Sequence, residues 1–197
     1  MDRRDVVLAL LGEPATPIVG TTRLQKLVFL AEKEGDGKDV EPGFDFEAYR
    51  FGPYSYSLTD DMEMLVALQY VEKSDEQAPE IASSDIANIE SLDADELLGS
   101  GSQMGSQDDN PEDPEAERQP VATQDDSVTY RITEKGVKYV QERIVAGDLN
   151  AEPIRQVRKR HGSRPLIDLL QYVYLRYPQY TTQSEIRDRV MGHNDGG

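Results

Sequence analysis

Apolar residues recur along this chain in short blocks of two kinds, one spaced for helices and one for strands. Asp5–Leu11 is apolar enough for a first helix, closed by Gly12 and Pro14. Thr22-Arg-Leu-Gln25 has the Thr-x-x-Gln form of a capping box, in which two side chains satisfy the free amides of a helix start. Behind it Leu24, Leu27, Val28 and Ala31 fall on one face of a second helix that runs to about Glu34. A loop through Gly35-Asp-Gly-Lys and Pro42-Gly43 follows. Phe44, Phe46 and Ala48 then alternate with Asp45, Glu47 and Tyr49, a half-buried strand that ends at Gly52-Pro53.

Ser57 is placed to cap a third helix, with Asp60 and Asp61 in its first turn and Leu58, Met62, Leu65 and Leu68 as its apolar stripe. Tyr70–Lys73 is a short extended run. Val128, Tyr130 and Ile132 alternate as a second strand, and Thr133 caps a helix that turns Val137, Val140 and Ile144 inward. Leu166, Leu169, Leu170, Val173 and Tyr177 mark a further helix, stopped by Pro178. Thr182-x-x-Glu185 has capping-box form again and opens a short helix through Ile186 and Val190. Three helices, a strand, an excursion, a strand and a helix is the winged-helix order. The expected fold is mainly α with a small β wing, interrupted at the wing tip and continued by C-terminal helices.

Charge changes the picture because it is unevenly placed. The 197 residues carry 21 basic and 38 acidic side chains, a formal charge of −17. Residues 74–127 hold 16 of the acids against one basic residue, Arg118, and contain no aromatic side chain. Such a stretch cannot bury enough apolar area to offset the entropy of ordering, so it reads as a disordered acidic insertion. Within it, Ile86, Ile89, Leu92 and Leu97 are spaced for a transient helix. Residues 1–73 and 128–192 then form the two parts of one domain, and 193–197 a frayed tail. The flanking residues are nearly balanced in charge, so the global acidity by itself does not exclude DNA as a partner. It does suit a salt-rich cytoplasm and a halophilic source.

Composition removes several chemistries. The chain has no cysteine and two histidines, His161 and His193, so thiolate zinc sites, cysteine nucleophiles and multi-histidine metal cages are excluded. No Gly-rich phosphate loop and no Ser/His/Asp spacing is present, so neither an enzyme nor a cofactor is expected. Asp60, Asp61 and Glu63 read as helix-start acids rather than a metal site. No apolar run approaches a membrane span and the start lacks a signal-peptide core, so a cytoplasmic location is expected.

Two segments stand out as binding candidates. Gly52-Pro53-Tyr54-Ser55, with Tyr56, reads either as a recognition turn presenting two tyrosines or as a structural turn seating them, with Lys26 and Arg50 facing the same region. Arg155, Arg158, Lys159, Arg160 and Arg164, with His161 among them, form a basic segment suited to phosphates or to a carboxylate-rich partner. The same segment could instead dock the acidic insertion, or be a solvated helix face. The third helix has no basic residue between Ser57 and Val71, and its carboxylates would repel phosphates, which makes it a poor reader of the major groove.

Leu24-Gln-Lys-Leu-Val-Phe-Leu-Ala31 together with Tyr49-Arg-Phe-Gly-Pro-Tyr-Ser55 resembles the paired motif of YwgA-type proteins, which look related to the wider SocA-like (Panacea) antitoxin domain. Arg176-Tyr-Pro-Gln-Tyr-Thr181 is similar to the same proteins, and Tyr130-Arg-Ile-Thr-Glu-Lys-Gly136 resembles the segment after the wing in many winged-helix regulators. The resemblance implies an antitoxin or protease-adaptor role. The expectation is therefore a non-enzymatic regulatory or adaptor module that binds a protein through the Gly-Pro-Tyr-Ser surface. The alternative is a winged-helix DNA-binding regulator that uses the basic segment.

Overall fold

The computed structural model describes residues 2–12, 16–35, 43–74 and 128–192. It is mainly helical, with two small antiparallel sheets. Helix α1 (Arg3–Gly12) is apolar on every side from Val6 onward. Val6 through Leu11 are at most 1% exposed, so this helix is buried all round rather than amphipathic. Helix α2 (Thr21–Glu34) is the centre of the molecule, with Leu24 through Ala31 all buried. It packs against α1, the strand β1 (Ile18–Val19) and two C-terminal helices.

The start of α2 differs from the capping box expected there. The cap is Gly20, at φ 88°, with no side-chain hydrogen bond. Gln25 is drawn instead into the core, where it binds the backbone of Ser55. A buried amide with a backbone partner is better satisfied than one spent on an exposed helix end.

Strands β2 (Glu47–Tyr49) and β3 (Gly52–Tyr54) form a hairpin around the two residues Arg50-Phe51. Gly52-Pro53-Tyr54 is thus a strand and not a turn. Proline is tolerated because β3 has one neighbour and Pro53 needs no ladder amide on its free side. Gly52 sits at φ 85°, and a Cβ there would lie 2.8 Å from the Tyr174 ring, so both backbone and packing demand glycine. Helix α3 (Tyr56–Ala67) is capped by Ser55 rather than Ser57, the Ser55 hydroxyl accepting from the Leu58 amide at 3.1 Å. The Ser57 hydroxyl donates to the Phe44 carbonyl at 2.9 Å. Leu58, Met62 and Leu65 face the core as expected, but Leu68 lies beyond the helix and is 46% exposed.

The second sheet has the order β1-β5-β4, with β4 (Val71–Ser74) and β5 (Thr129–Ile132) paired antiparallel. Ser74 pairs with Thr129 in the ladder, so it belongs to the folded part and not to the insertion. The expected disorder of the remaining insertion, its transient helix and the frayed tail lie outside the described residues. Val128, Tyr130 and Ile132 are buried, as their alternation predicts. Helix α4 (Glu134–Val145) starts on the Thr133 cap, whose hydroxyl accepts from the Gly136 amide at 3.1 Å. Gly136 passes so close to the Tyr70 carbonyl that a Cβ would stand 2.4 Å from it. That close approach is the physical content of the Thr-x-x-Gly spacing.

Helices α5 (Glu152–His161), α6 (Leu166–Arg176) and α7 (Arg187–Gly192) complete the described chain, with a 3-10 turn at Pro178–Tyr180. Ile154, Val157, Leu169, Leu170, Val173 and Val190 join the same core as α1 and α2, so the C-terminal helices are integral to the fold. The second expected capping box is absent here also. Helix α7 begins at Arg187, and the Glu185 carboxylate pairs with Arg50 at 2.8 Å. Among the described residues no helix is long and apolar enough to cross a membrane.

Candidate functional site

The Gly-Pro-Tyr-Ser segment divides into a buried half and a presented half. Gly52, Pro53 and Ser55 are buried. The Gln25 amide nitrogen donates to the Ser55 carbonyl and the Gln25 oxygen accepts from the Ser55 amide, both at 3.0 Å. One residue on, Lys26 is 2% exposed and its ammonium donates to the Pro53 carbonyl at 3.0 Å. Lys26 is therefore a brace inside the fold and not part of a docking surface. Arg50 is at the hairpin tip, paired with Glu185 and packed over the Phe51 ring.

What the braced strand presents is tyrosine. The rings of Tyr49, Tyr54 and Tyr56 touch one another, with centroids 5.3 Å apart for Tyr49–Tyr54 and 5.0 Å for Tyr54–Tyr56. All three are half-buried, and the Tyr54 hydroxyl lies 3.0 Å from that of Thr59. Glu47, on the same face of β2 as Tyr49, and Asp60, one turn along α3 from Tyr56, are exposed beside them. Burial raises the Tyr56 hydroxyl above its usual range, and Tyr49 and the Glu47 carboxylate push it the same way. Tyr49 opens the Tyr49–Ser55 motif but is not among the binding candidates that the sequence marks. Its position two residues after Glu47 on an alternating strand carries the signal that could have found it.

The outer face of α3 is less acidic than its sequence suggests. Asp60 and Glu63 are exposed, but Asp61 is 4% exposed and bound by the guanidinium of Arg3, with Arg4 at 3.7 Å. Among the described residues no three His, Asp or Glu side chains gather around one metal position.

The basic segment is also split by the fold. Lys159 and Arg160 are exposed on α5, and Arg160 lies 3.6 Å from Glu34. Arg164 packs over the Tyr172 ring, with its charge centre 5.3 Å from the centroid. Arg158 is 4% exposed. Its Nη2 donates to the Thr16 carbonyl at 3.0 Å and contacts the Thr16 hydroxyl at 3.2 Å and the Pro17 carbonyl at 3.4 Å. Burial, with the Arg23 charge nearby, pushes the Arg158 guanidinium down to about 10. An open groove of about 850 Å3 runs between α5 and the Thr16-Pro17 segment, lined by Arg155, Arg158 and Lys159 among others.

His161 is fully buried and its Nε2 lies 3.3 Å from the Glu34 carboxylate, which also accepts from the Tyr172 hydroxyl at 2.7 Å. Burial lowers its pKa, against the pull of Glu34. The motif reading did not single out Glu34, because its partners come from residues more than a hundred positions away. Comparison of the chain with protein-family models, curated proteins and solved structures finds no match in any of the three.

Proposed function

We propose that this chain is a non-enzymatic regulatory or adaptor module of winged-helix type that binds a protein partner through its tyrosine face. The strand order β1-β5-β4, with a helix before β1 and two helices between β1 and β4, supports the winged-helix reading. The YwgA-like and antitoxin-like resemblance of the two motifs points the same way. The observation that carries the binding role is the Tyr49–Tyr54–Tyr56 cluster on a backbone fixed by Gln25 and Lys26. Tyrosine offers large contact area with few rotatable bonds, and rigid aromatic groups are where binding energy concentrates in protein interfaces. Glu47 and Asp60 beside the rings suit a partner surface rich in arginine or lysine, which would meet carboxylates and ring faces together.

The alternative, a DNA-binding regulator working through the basic segment, has less support. Of its five cations, Arg158 is buried, Arg160 is close to Glu34 and Arg164 is packed on Tyr172. A duplex-binding surface needs several cations free to displace counterions.

A photo-crosslinking residue at position 56 of the full chain, used in native host extract, tests the proposal by recovering the partner. Tyr49→Ala and Tyr56→Ala should then weaken binding of that purified partner by about tenfold or more, while Lys159→Gln leaves it unchanged. A partner that binds both tyrosine variants as tightly as the native chain would remove the reading.

A further inference from the structure

Arg158 is a buried cation whose hydrogen-bond partners among the described residues are all neutral oxygens, and it lines an open groove. Thr16 and Pro17 occupy one edge of its guanidinium. Its Nε is buried with no hydrogen-bond partner, and no carboxylate of the described residues pairs with it. A buried charge without a counter-ion costs several kcal/mol, so such sites are normally paired or hold an ion. Lys159 stands on the same groove, exposed, and Arg155 also lines it. Among the described residues the lining holds one carboxylate, Glu152, whose oxygen is taken up by the Gln156 amide at 3.2 Å. Thr16 and Ser163 bring hydroxyl groups to the same space.

We propose that this groove is a binding site for a dianionic phosphoryl group, either inorganic phosphate or a phosphate monoester. The edge of the Arg158 guanidinium not taken by Thr16 and Pro17 and the ammonium of Lys159 are the charge-bearing contacts. The two positive charges of Arg158 and Lys159 match a dianion, and an arginine held in a fixed orientation is well suited to phosphoryl oxygens. The groove exceeds what phosphate alone would fill and is of the size that holds small organic ligands, so an ester with an organic body fits it better. This inference stands apart from the tyrosine face and does not depend on it.

The test is titration of the full-length chain with inorganic phosphate, and in separate arms with adenosine monophosphate and glucose 6-phosphate. Chloride at matched ionic strength is the control, and phosphorus NMR line width and melting temperature are followed. Saturable broadening and stabilisation are expected with at least one phosphate ligand and not with chloride. Lys159→Gln and Arg158→Met should each weaken that binding by about tenfold or more. Lys138→Gln, at an exposed position on α4, should leave it unchanged. Should Arg158→Met fail to fold, Lys159→Gln decides alone, since Lys159 is exposed. Tighter binding of either ester than of inorganic phosphate identifies an organic ligand, and equal binding identifies the phosphoryl group itself. The proposal is overturned if no phosphate ligand saturates, or if both groove variants bind as the native chain does. It is also overturned if duplex DNA binds with loss in the variants while the small phosphates do not bind.

Discussion

Two buried acids near the N-terminus and one buried arginine near the C-terminus solve the problem of interior charge in opposite ways. Asp5 is fully buried and its carboxylate accepts from three sides, from the Asp2 amide at 2.9 Å, the Tyr139 hydroxyl at 3.1 Å and Arg143 at 3.1 Å. Asp61 is held by Arg3 and Arg4, which fastens α3 to the start of α1. In both places a charge on one element meets its opposite on another, and nothing is left for a ligand to neutralise. Among the described residues Arg158 has carbonyl and hydroxyl oxygens alone, and it lines the groove with no carboxylate paired to it. Charged residues of one kind close the fold, whereas the other kind leaves a demand that something outside the fold can meet. Sequence composition counts both alike.

The contrast predicts unequal costs. Asp5→Ala strands the Tyr139 hydroxyl and the Asp2 amide and leaves Arg143 without its main partner. It should cost about 3 kcal/mol, near the low end for breaking a buried pair because Arg143 is itself 31% exposed. Arg158→Met keeps most of the side-chain volume and removes a charge that has no counter-ion. The relief of that buried charge is offset by the lost hydrogen bonds to Thr16 and Pro17, so stability should change by about 1 kcal/mol or less, in either direction. Urea unfolding of the two variants, read by far-ultraviolet dichroism, measures the difference. If Arg158→Met costs as much as Asp5→Ala, the guanidinium is a structural strut and the contrast between the two regions collapses.

How much of this was legible in the sequence depended on whether the partner was local. The Thr133 cap on Gly136 and the alternation of Val128, Tyr130 and Ile132 were readable because their causes lie within a few residues. The helix through Leu169, Leu170 and Val173, ending before Pro178, was readable for the same reason. Both proposed capping boxes failed on the same ground. Gln25 and Glu185 have the right spacing for a local hydrogen bond, but they bind Ser55 and Arg50, which only the fold brings near. Lys26 does face the Gly-Pro-Tyr-Ser segment, as the sequence suggests, but its burial is not readable there for a related reason. A lone lysine in an apolar helix normally reaches solvent, and nothing in the sequence shows that the Pro53 carbonyl, left unbonded at a sheet edge, is within reach. Among the candidate sites, Tyr54 and Tyr56 were legible, Tyr49 was only implied by alternation, and the division of the basic segment into buried and exposed cations was not legible.

The smallest effect sharpens the comparison at a third buried group. His161 is enclosed like Asp5, yet burial works against its charged form despite the nearby Glu34, and Arg160 and Arg164 add to that opposition. Its folded pKa therefore lies below the ordinary imidazole value of 6.5. Between that value and the lower folded one, the unfolded chain binds the proton and the folded chain does not, so stability must fall as pH falls through this window. Above pH 6.5 both states are neutral at this residue and it contributes no slope. Melting temperature followed from pH 7.5 to 5.5 should show the decline, at a fraction of the one-proton limit of about 1.4 kcal/mol per pH unit. The slope should flatten in His161→Gln and persist in His193→Gln. A native chain that gains stability on acidification would instead mean that Glu34 holds His161 protonated. That result would place the pair with the closed charges of Asp5 and Asp61, and Arg158 alone would remain open.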